Sequence, residues 1–458
     1  MEHMIRRLSQ RIQPRRIAAA LVLAGAALLA PSARAVPSYS RQTGFPCQSC
    51  HTTPPELTPL GRIFKLNGYT MTGIQKIETK PTKRDAGLNL LQWLPLSVLF
   101  DTSFSSTSQP QPGTQNGNIE FPQAVSLFLS GAWGDHVGSF VQVTYDSQAD
   151  TFSWDNTDIR YANSTKLAGK DFVYGVMMNN NPTVEDLWNS SPAWGFPWVS
   201  SNVAPSPTAA AIIDGPLAQD VAGVGGYGMW NNHLYVAATL YRSEHIGGSQ
   251  PPDGQGYSYN IRGLAPYWRL AWQESLGKNN YLEIGGYGMH MKSSPNAITG
   301  LEDGYTDWAV DFQDDWTIPQ LRNDILSLRG TYIRENSALD ATFALGGAAQ
   351  PGHHLNTLLA NAEYHFGNRI STTFGWFNIT GTTDPLLYPP APVSGNANGD
   401  PRSNGYIANL SWWPIQNIDL AFQYTGYLRF NGARLNYDGA GRNAKGNDTV
   451  YLLARFVF

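Results

Sequence analysis

From about Asn89 to its last residue, the chain alternates apolar and polar residues in segments of roughly ten, separated by Gly, Asn, Asp, Ser and Pro clusters. Between Ile418 and Phe430 one face carries Ile418, Leu420, Phe422, Tyr424, Gly426, Leu428 and Phe430, and the other carries Asp419, Gln423, Thr425 and Arg429. Leu358, Ala360, Ala362, Tyr364 and Phe366 likewise alternate with Asn361, Glu363 and His365. The final segment sets Val450, Leu452, Ala454, Phe456 and Phe458 against Arg455, and a terminal Phe on such a strand resembles the assembly signal of outer-membrane barrels. A period of two buries only half of each strand's side chains, so the polar set must face a lumen if the apolar set faces lipid. The expectation is all-β: a transmembrane outer-membrane β-barrel of about sixteen antiparallel strands.

Connection lengths orient this barrel. Tight turns are predicted at Gly134-Asp135, Asn231-Asn232, Gly277-Lys278, Gly367-Asn368 and Ile415-Gln416, with long connections at 180–217 and 380–404 between them. Short turns face the periplasm in such barrels and long loops face outward. Both ends of the mature chain then lie on the periplasmic side. Trp188, Trp194 and Trp198 in the first long connection either fold inward to narrow the pore or belong to the outer aromatic girdle. Asp155, Glu185, Asp186, Glu244, Asp253, Glu335, Asp384 and Asp438 are expected in outward loops, as solvated groups or as attractors of a hard cation.

Composition agrees. Charged residues make up 14%, well below the quarter typical of soluble domains, while aromatics reach 12% and glycines number 45. A net charge of -4 argues against nucleic acid as a partner. Ahead of the barrel, Arg6, Arg7, Arg11, Arg15 and Arg16 precede an apolar run from Ile17 to Ala30 and the small-residue sequence Ser32-Ala33-Arg34-Ala35. This is a secretory signal pattern over residues 1–35, since the apolar run falls short of the roughly 20 residues a spanning helix needs.

The two cysteines, Cys47 and Cys50, stand three positions apart and are followed by His51. Cys-x-x-Cys-His is the pattern of c-type haem attachment: two thiols reach the two vinyl groups on one porphyrin edge, and the adjacent imidazole swings under the iron. A redox-active Cys-x-x-Cys is the competing reading, disfavoured by the export signal and by the absence of a βαβ pattern around the motif. Cys47 and Cys50 are therefore candidate thioethers to one covalent haem c, and His51 the proximal iron ligand. Thr58 can cap a helix beginning at Pro59 and stopped by Asn67-Gly68, with Leu60, Ile63 and Phe64 on the face toward the porphyrin. Arg62 and Lys65 are candidate propionate contacts, or a solvated helix face. Met71 is a candidate distal iron ligand, since His/Met ligation raises the potential, or ordinary packing; His136, His233 and His365, beside predicted periplasmic turns, are its rivals. A segment of about fifty residues, 36–85, cannot enclose a porphyrin with its own core. It is expected to dock at or in the barrel formed by 86–458.

The stretch SYSRQTGFPCQSCHTTPPELTPLGRIFKLNGYTMTG, Ser38 to Gly73, closely resembles the N-terminal region of the fused outer-membrane monohaem cytochrome–porin family. The likeness includes Arg41-Gln42-Thr43-Gly44, the turn Glu56-Leu57-Thr58-Pro59, and Gly61-Arg62 through Gly68-Tyr69; beyond it the likeness is architectural, and no iron-binding residue of the barrel carries over. It implies an Fe(II) oxidase: extracellular Fe(II) as donor, one electron at a time, with a periplasmic c-type cytochrome or cupredoxin as acceptor. The alternatives are an outer-membrane electron conduit for another donor or acceptor, and a solute porin with an accessory haem.

Overall fold

A computed structural model describes residues 37–74, 95–243, 260–295 and 300–458. The expected signal at 1–35 and the expected boundary near 85 lie outside the described residues. Sixteen antiparallel strands form one closed sheet among them. They are β1 (Leu96–Thr107), β2 (Asn118–Leu129, resumed at Gly131–Ala132 after Ser130), β3 (Val137–Asp146), β4 (Thr151–Leu167), β5 (Lys170–Asn179), β6 (Val221–Trp230), β7 (Leu234–Ser243) and β8 (Ala265–Ser275). The ring continues with β9 (Asn280–Ser293), β10 (Asp303–Ile318), β11 (Asp324–Ala338), β12 (Gly352–Phe366), β13 (Ile370–Gly381), β14 (Ser403–Ile415), β15 (Ile418–Arg429) and β16 (Thr449–Val457). Each strand pairs with its neighbours in sequence. β1 closes on β16 in a register that sets Asp101 opposite Arg455 and Thr107 opposite Thr449.

The predicted tight turns all lie at one end of this barrel, together with the start of β1 and with Phe458. Outward positions are apolar and exposed, among them Leu358, Phe374, Leu410, Trp412, Leu420, Phe422 and Leu452, whereas Asp419, Gln423, Glu363 and His365 are buried inside. A closed strand ring with an apolar exterior satisfies every ladder hydrogen bond and needs no water at the lipid face. The protein is thus a bacterial outer-membrane β-barrel. Phe430 departs from the outward face expected of it. β15 ends at Arg429, the chain turns, and Phe430 is buried against Tyr427 and Tyr437, with ring centroids 4.9 and 4.7 Å away.

The connection after β5 does not stay outside. Residues 180–220 fold into the barrel, where Ile212 and Ile213 donate their N–H groups to Glu335 and Asp307 of the wall (2.7 and 3.2 Å). Trp188 is buried there and donates its indole N–H to Tyr281 (2.7 Å) and Gln273 (3.0 Å). Trp188 thus follows the inward reading, as does Trp194, which donates its indole N–H to the Val184 carbonyl of the same loop (2.9 Å), while Trp198 is half-buried against Phe196. Glu185, Asp186, Glu335, Asp384 and Asp438 are likewise buried rather than solvated, and Glu244 and Asp253 lie outside the described residues. Asp186 forms a fully buried cluster with Arg269 (3.1 Å), which also pairs with Glu283 (3.3 Å) and Asp311 (2.7 Å).

Leu358 lies midway along β12 and faces lipid. Leu358→Arg is expected to destabilise the barrel by about 2–4 kcal/mol, the cost of a cation near the bilayer midplane. Urea unfolding in liposomes measures this, and a cost near zero would place the residue off the lipid face.

Candidate functional site

The N-terminal segment fills the short-turn end of the lumen as a plug. Its first helix, α1 (Ser38–Thr43), ends at Gly44, whose φ of 75° turns the chain toward the cysteines. Gln42 holds the backbone of Ala132 from both sides, donating to its carbonyl (3.1 Å) and accepting from its N–H (3.0 Å). Tyr39 donates to the Ser139 carbonyl (2.6 Å). α1 is thereby fixed to β2 and β3.

Cys47 and Cys50 sit on a single helical turn, α2 (Cys47–Cys50), with both thiols free and half-buried. Burial pushes both thiols up from their usual range. His51 leaves the turn in extended conformation, and its Nδ1 lies 3.0 Å from the Glu56 carbonyl. A carbonyl only accepts, so Nδ1 carries the proton and Nε2 keeps its lone pair. Burial also holds this imidazole below its usual pKa, favouring the neutral form a metal requires.

The third helix, α3 (Pro59–Leu66), has the expected bounds: the Thr58 hydroxyl accepts from Gly61 N–H (3.3 Å), Pro59 is its first residue, and Gly68 follows with a φ of 67°. Gly61 allows α3 to pack on α2, since a Cβ there would come within 2.3 Å of the Cys50 carbonyl oxygen. Ile63 is exposed and Leu60 half-buried. Phe64 differs from its expected place beside them: it is buried edge-on against Tyr39, 5.1 Å between centroids.

Arg62 lies over the Tyr281 ring at 4.2 Å, donates to the Leu57 carbonyl (2.9 Å) and pairs with Asp315 (3.4 Å). Its Nη2 is buried with no hydrogen-bond partner. Lys65 is also buried, and its Nζ donates to the carbonyls of Val184 (2.6 Å) and Asp186 (2.7 Å) on the inward loop. Neither cation lies on a solvated face. Met71 is half-buried just beyond Tyr69, whose hydroxyl donates to Asp158 of β4 (2.6 Å). Of the three histidines that rival Met71, His136 and His233 bond to strand carbonyls at the turns (3.0 and 3.1 Å). His365 alone among them reaches the plug, 3.5 Å from the Thr53 hydroxyl.

Sequence reasoning missed the strongest link between plug and wall. Glu56 is buried and paired with Arg329 of β11, which also lies 3.5 Å from Glu363 and 3.6 Å from Asp315. Burial and the neighbouring Glu363 raise the Glu56 carboxyl well above its usual range, against the opposing pull of Arg329. The lumenal parity of Glu363 and His365 was readable from alternation. Their meeting with Glu56, some three hundred residues away in the chain, carried no signal.

No protein-family model matches the chain, and neither does any curated protein. Solved structures similar to it include an anion-selective porin from Comamonas acidovorans, with 10% identity over 79% of this chain and 98% of that one and a TM-score of 0.48. OmpF of Salmonella typhi in complex with daunomycin has 11% identity over 79% and 97%, with a TM-score of 0.47. The outer-membrane channel DcaP of Acinetobacter baumannii has 11% identity over 79% and 96%, with a TM-score of 0.44. At such identities likeness concerns fold alone, and the barrel assignment stands on the strand register itself.

Two outcomes test the docking. Arg329→Ala leaves buried carboxylates without their guanidinium, a loss of about 3–5 kcal/mol. The plug should then become open to protease in a barrel that still shows heat-modifiable migration; a plug as protected as in wild type would refute the pairing. Lys65 has a pKa lowered by burial from 10.5 to about 7. An undocked Lys65 therefore binds more protons than the docked one between those values, so docking should strengthen as pH rises from about 7 toward 10. Protease protection across that range should rise in wild type and flatten in Lys65→Met.

Proposed function

We propose that this protein is an outer-membrane electron-transfer protein that oxidises extracellular Fe(II) and delivers single electrons to a periplasmic c-type cytochrome or cupredoxin, with one covalent haem c as its resident cofactor. The observation that carries this reading is the Cys47-x-x-Cys50-His51 turn on a plug inside a membrane barrel, with His51 Nδ1 bonded to the Glu56 carbonyl so that Nε2 is left as a ligand.

The residues fit the group. Cys47 and Cys50 would hold it through thioethers and His51 through the iron, with Met71 the candidate distal ligand. Arg62 keeps its Nη2 group unpartnered and so could donate to a propionate, whereas Lys65 donates to two carbonyls of the inward loop. Bound there, a haem would supply a one-electron carrier within a membrane core about 30 Å thick that otherwise insulates. The rest is the chain's own work. The plug's contacts with β2, β3, β4, β10 and β11 fix the motif in the lumen, and the Glu56 carbonyl orients the His51 ring. Plug, inward loop and wall share one apolar cluster, which includes Leu66, Leu187, Trp188, Tyr227 and Tyr235. Such filling supports passage of charge over passage of solutes.

Stopped-flow mixing of the haem-loaded protein with Fe(II) should reduce the haem bands, and an oxidised spectrum under excess Fe(II) at every pH would refute the proposal. His51→Ala should abolish the native spectrum. Met71→Leu should lower the potential, and an unchanged potential and spectrum would remove Met71 from the iron.

A further inference from the structure

We infer that Glu56, Glu363 and His365 form a binding site for a divalent first-row transition cation at the seam between plug and barrel, and that Fe(II) occupies it as electron donor. The second clause rests on the function proposed above; the first does not.

One ligand atom from each of the three residues lies within 4.8 Å of the other two. His365 Nε2 stands 3.4 Å from Glu363 Oε2 and 4.0 Å from Glu56 Oε2. Donors bound to one metal by bonds of about 2.1 Å sit about 3–3.5 Å apart, so a small contraction completes the set. All three residues are buried, with exposures of 1%, 0% and 3%. His365 Nε2 and both carboxylate oxygens of Glu363 have no hydrogen-bond partner despite that burial. Buried polar atoms are ordinarily hydrogen-bonded; here Glu363 Oε2 meets His365 Nε2 and Arg329 only at 3.4 and 3.5 Å and Glu363 Oε1 has no partner, so atoms of ligating type converge without hydrogen bonds, as in a site built for a cation.

Arg329 lies among Glu56, Glu363 and Asp315, and Arg62 pairs with Asp315. Arg329 takes Glu56 through Oε1, leaving Oε2 turned toward His365 and the Thr52 hydroxyl, 3.1 Å away. An imidazole nitrogen with carboxylate oxygens suits Fe(II), Mn(II) or Zn(II), whereas Mg(II) and Ca(II) prefer oxygen alone.

The placement gives the site a consequence. Glu56 turns its carboxylate to the cation and its backbone carbonyl to His51 Nδ1. A donor held there is one residue away from the proposed axial imidazole. Oxidation of one bound Fe(II) to Fe(III) releases one electron, which reduces one ferric haem to ferrous, and no proton or further reactant is needed.

The test uses redox-inert Zn(II) and the full-length haem-loaded protein in detergent, with isothermal titration calorimetry as readout; the Cys47→Ser, Cys50→Ser variant repeats it without competing thiols. One Zn(II) per chain is expected, and a large excess of Fe(II) under anaerobic conditions should compete with it, since Fe(II) is the weaker binder at such ligands. Glu363→Gln and His365→Gln, checked for wild-type heat-modifiable migration, should each weaken binding about tenfold or more. Absence of stoichiometric binding in wild type, or undiminished binding in both variants, overturns the site. Retained Zn(II) binding in a protein whose haem Fe(II) never reduces would uphold the site and refute the proposed function. Haem reduction at the wild-type rate in variants that have lost binding would overturn the donor role.

Discussion

The closure of β1 onto β16 is the constraint on which everything else in this molecule rests. An open sheet edge in hydrocarbon would leave a row of unpaired N–H and C=O groups, each costing several kcal/mol. Nine paired positions from Leu99–Val457 to Thr107–Thr449 remove that edge. Inside the ring, Arg455 bonds Asp101 through two nitrogens at 2.9 and 2.8 Å, so the seam is also tied by side chains facing the lumen. Once the ring is closed, outward positions can be apolar without an alternative partner, and inward positions are free to carry charge.

That freedom is used heavily. Arg160 with Asp158, Arg269 with Asp186, Glu283 and Asp311, and Arg329 with Glu56 and Glu363 are all buried pairs. Buried ion pairs are weak as stabilisers but exacting as locators, because a partner displaced leaves an uncompensated charge. Each of these clusters involves a segment that is not part of the wall: Tyr69 on Asp158, Asp186 from the inward loop, Glu56 from the plug. They give the plug and loop one register in the lumen where apolar packing alone would permit several.

Sequence periodicity sufficed where neighbours in space are neighbours in sequence. Strand parity, the number of strands, the tight turns and the Thr58 cap are all local or nearest-strand properties, and the structure bears them out. The direction of the 180–220 connection was ambiguous because tryptophans serve equally in a lipid girdle and in a packed lumen. Arg62 and Lys65 read as propionate contacts or a solvated helix face because their partners, Asp315 and the carbonyls at 184 and 186, lie far along the chain or belong to the backbone of a loop of undetermined path. Phe430 was misplaced by extending a parity one residue past the end of its strand.

The Cys-x-x-Cys-His turn proposed to hold a haem depends on the same physics that forms the barrel. About fifty residues make only a small core of their own. The wall adds packing and hydrogen bonds to them, from Ser139 against Tyr39 to Tyr227, which donates to the Leu66 carbonyl at 2.8 Å. The inward loop adds Asn189, which donates to the Pro55 carbonyl at 2.7 Å, beside the turn that aims Glu56. The carbonyl that selects the His51 tautomer is thus held by a loop from the outer end and an arginine from the wall. Any cofactor on Nε2 would be oriented by the whole barrel, not by the short segment that attaches it.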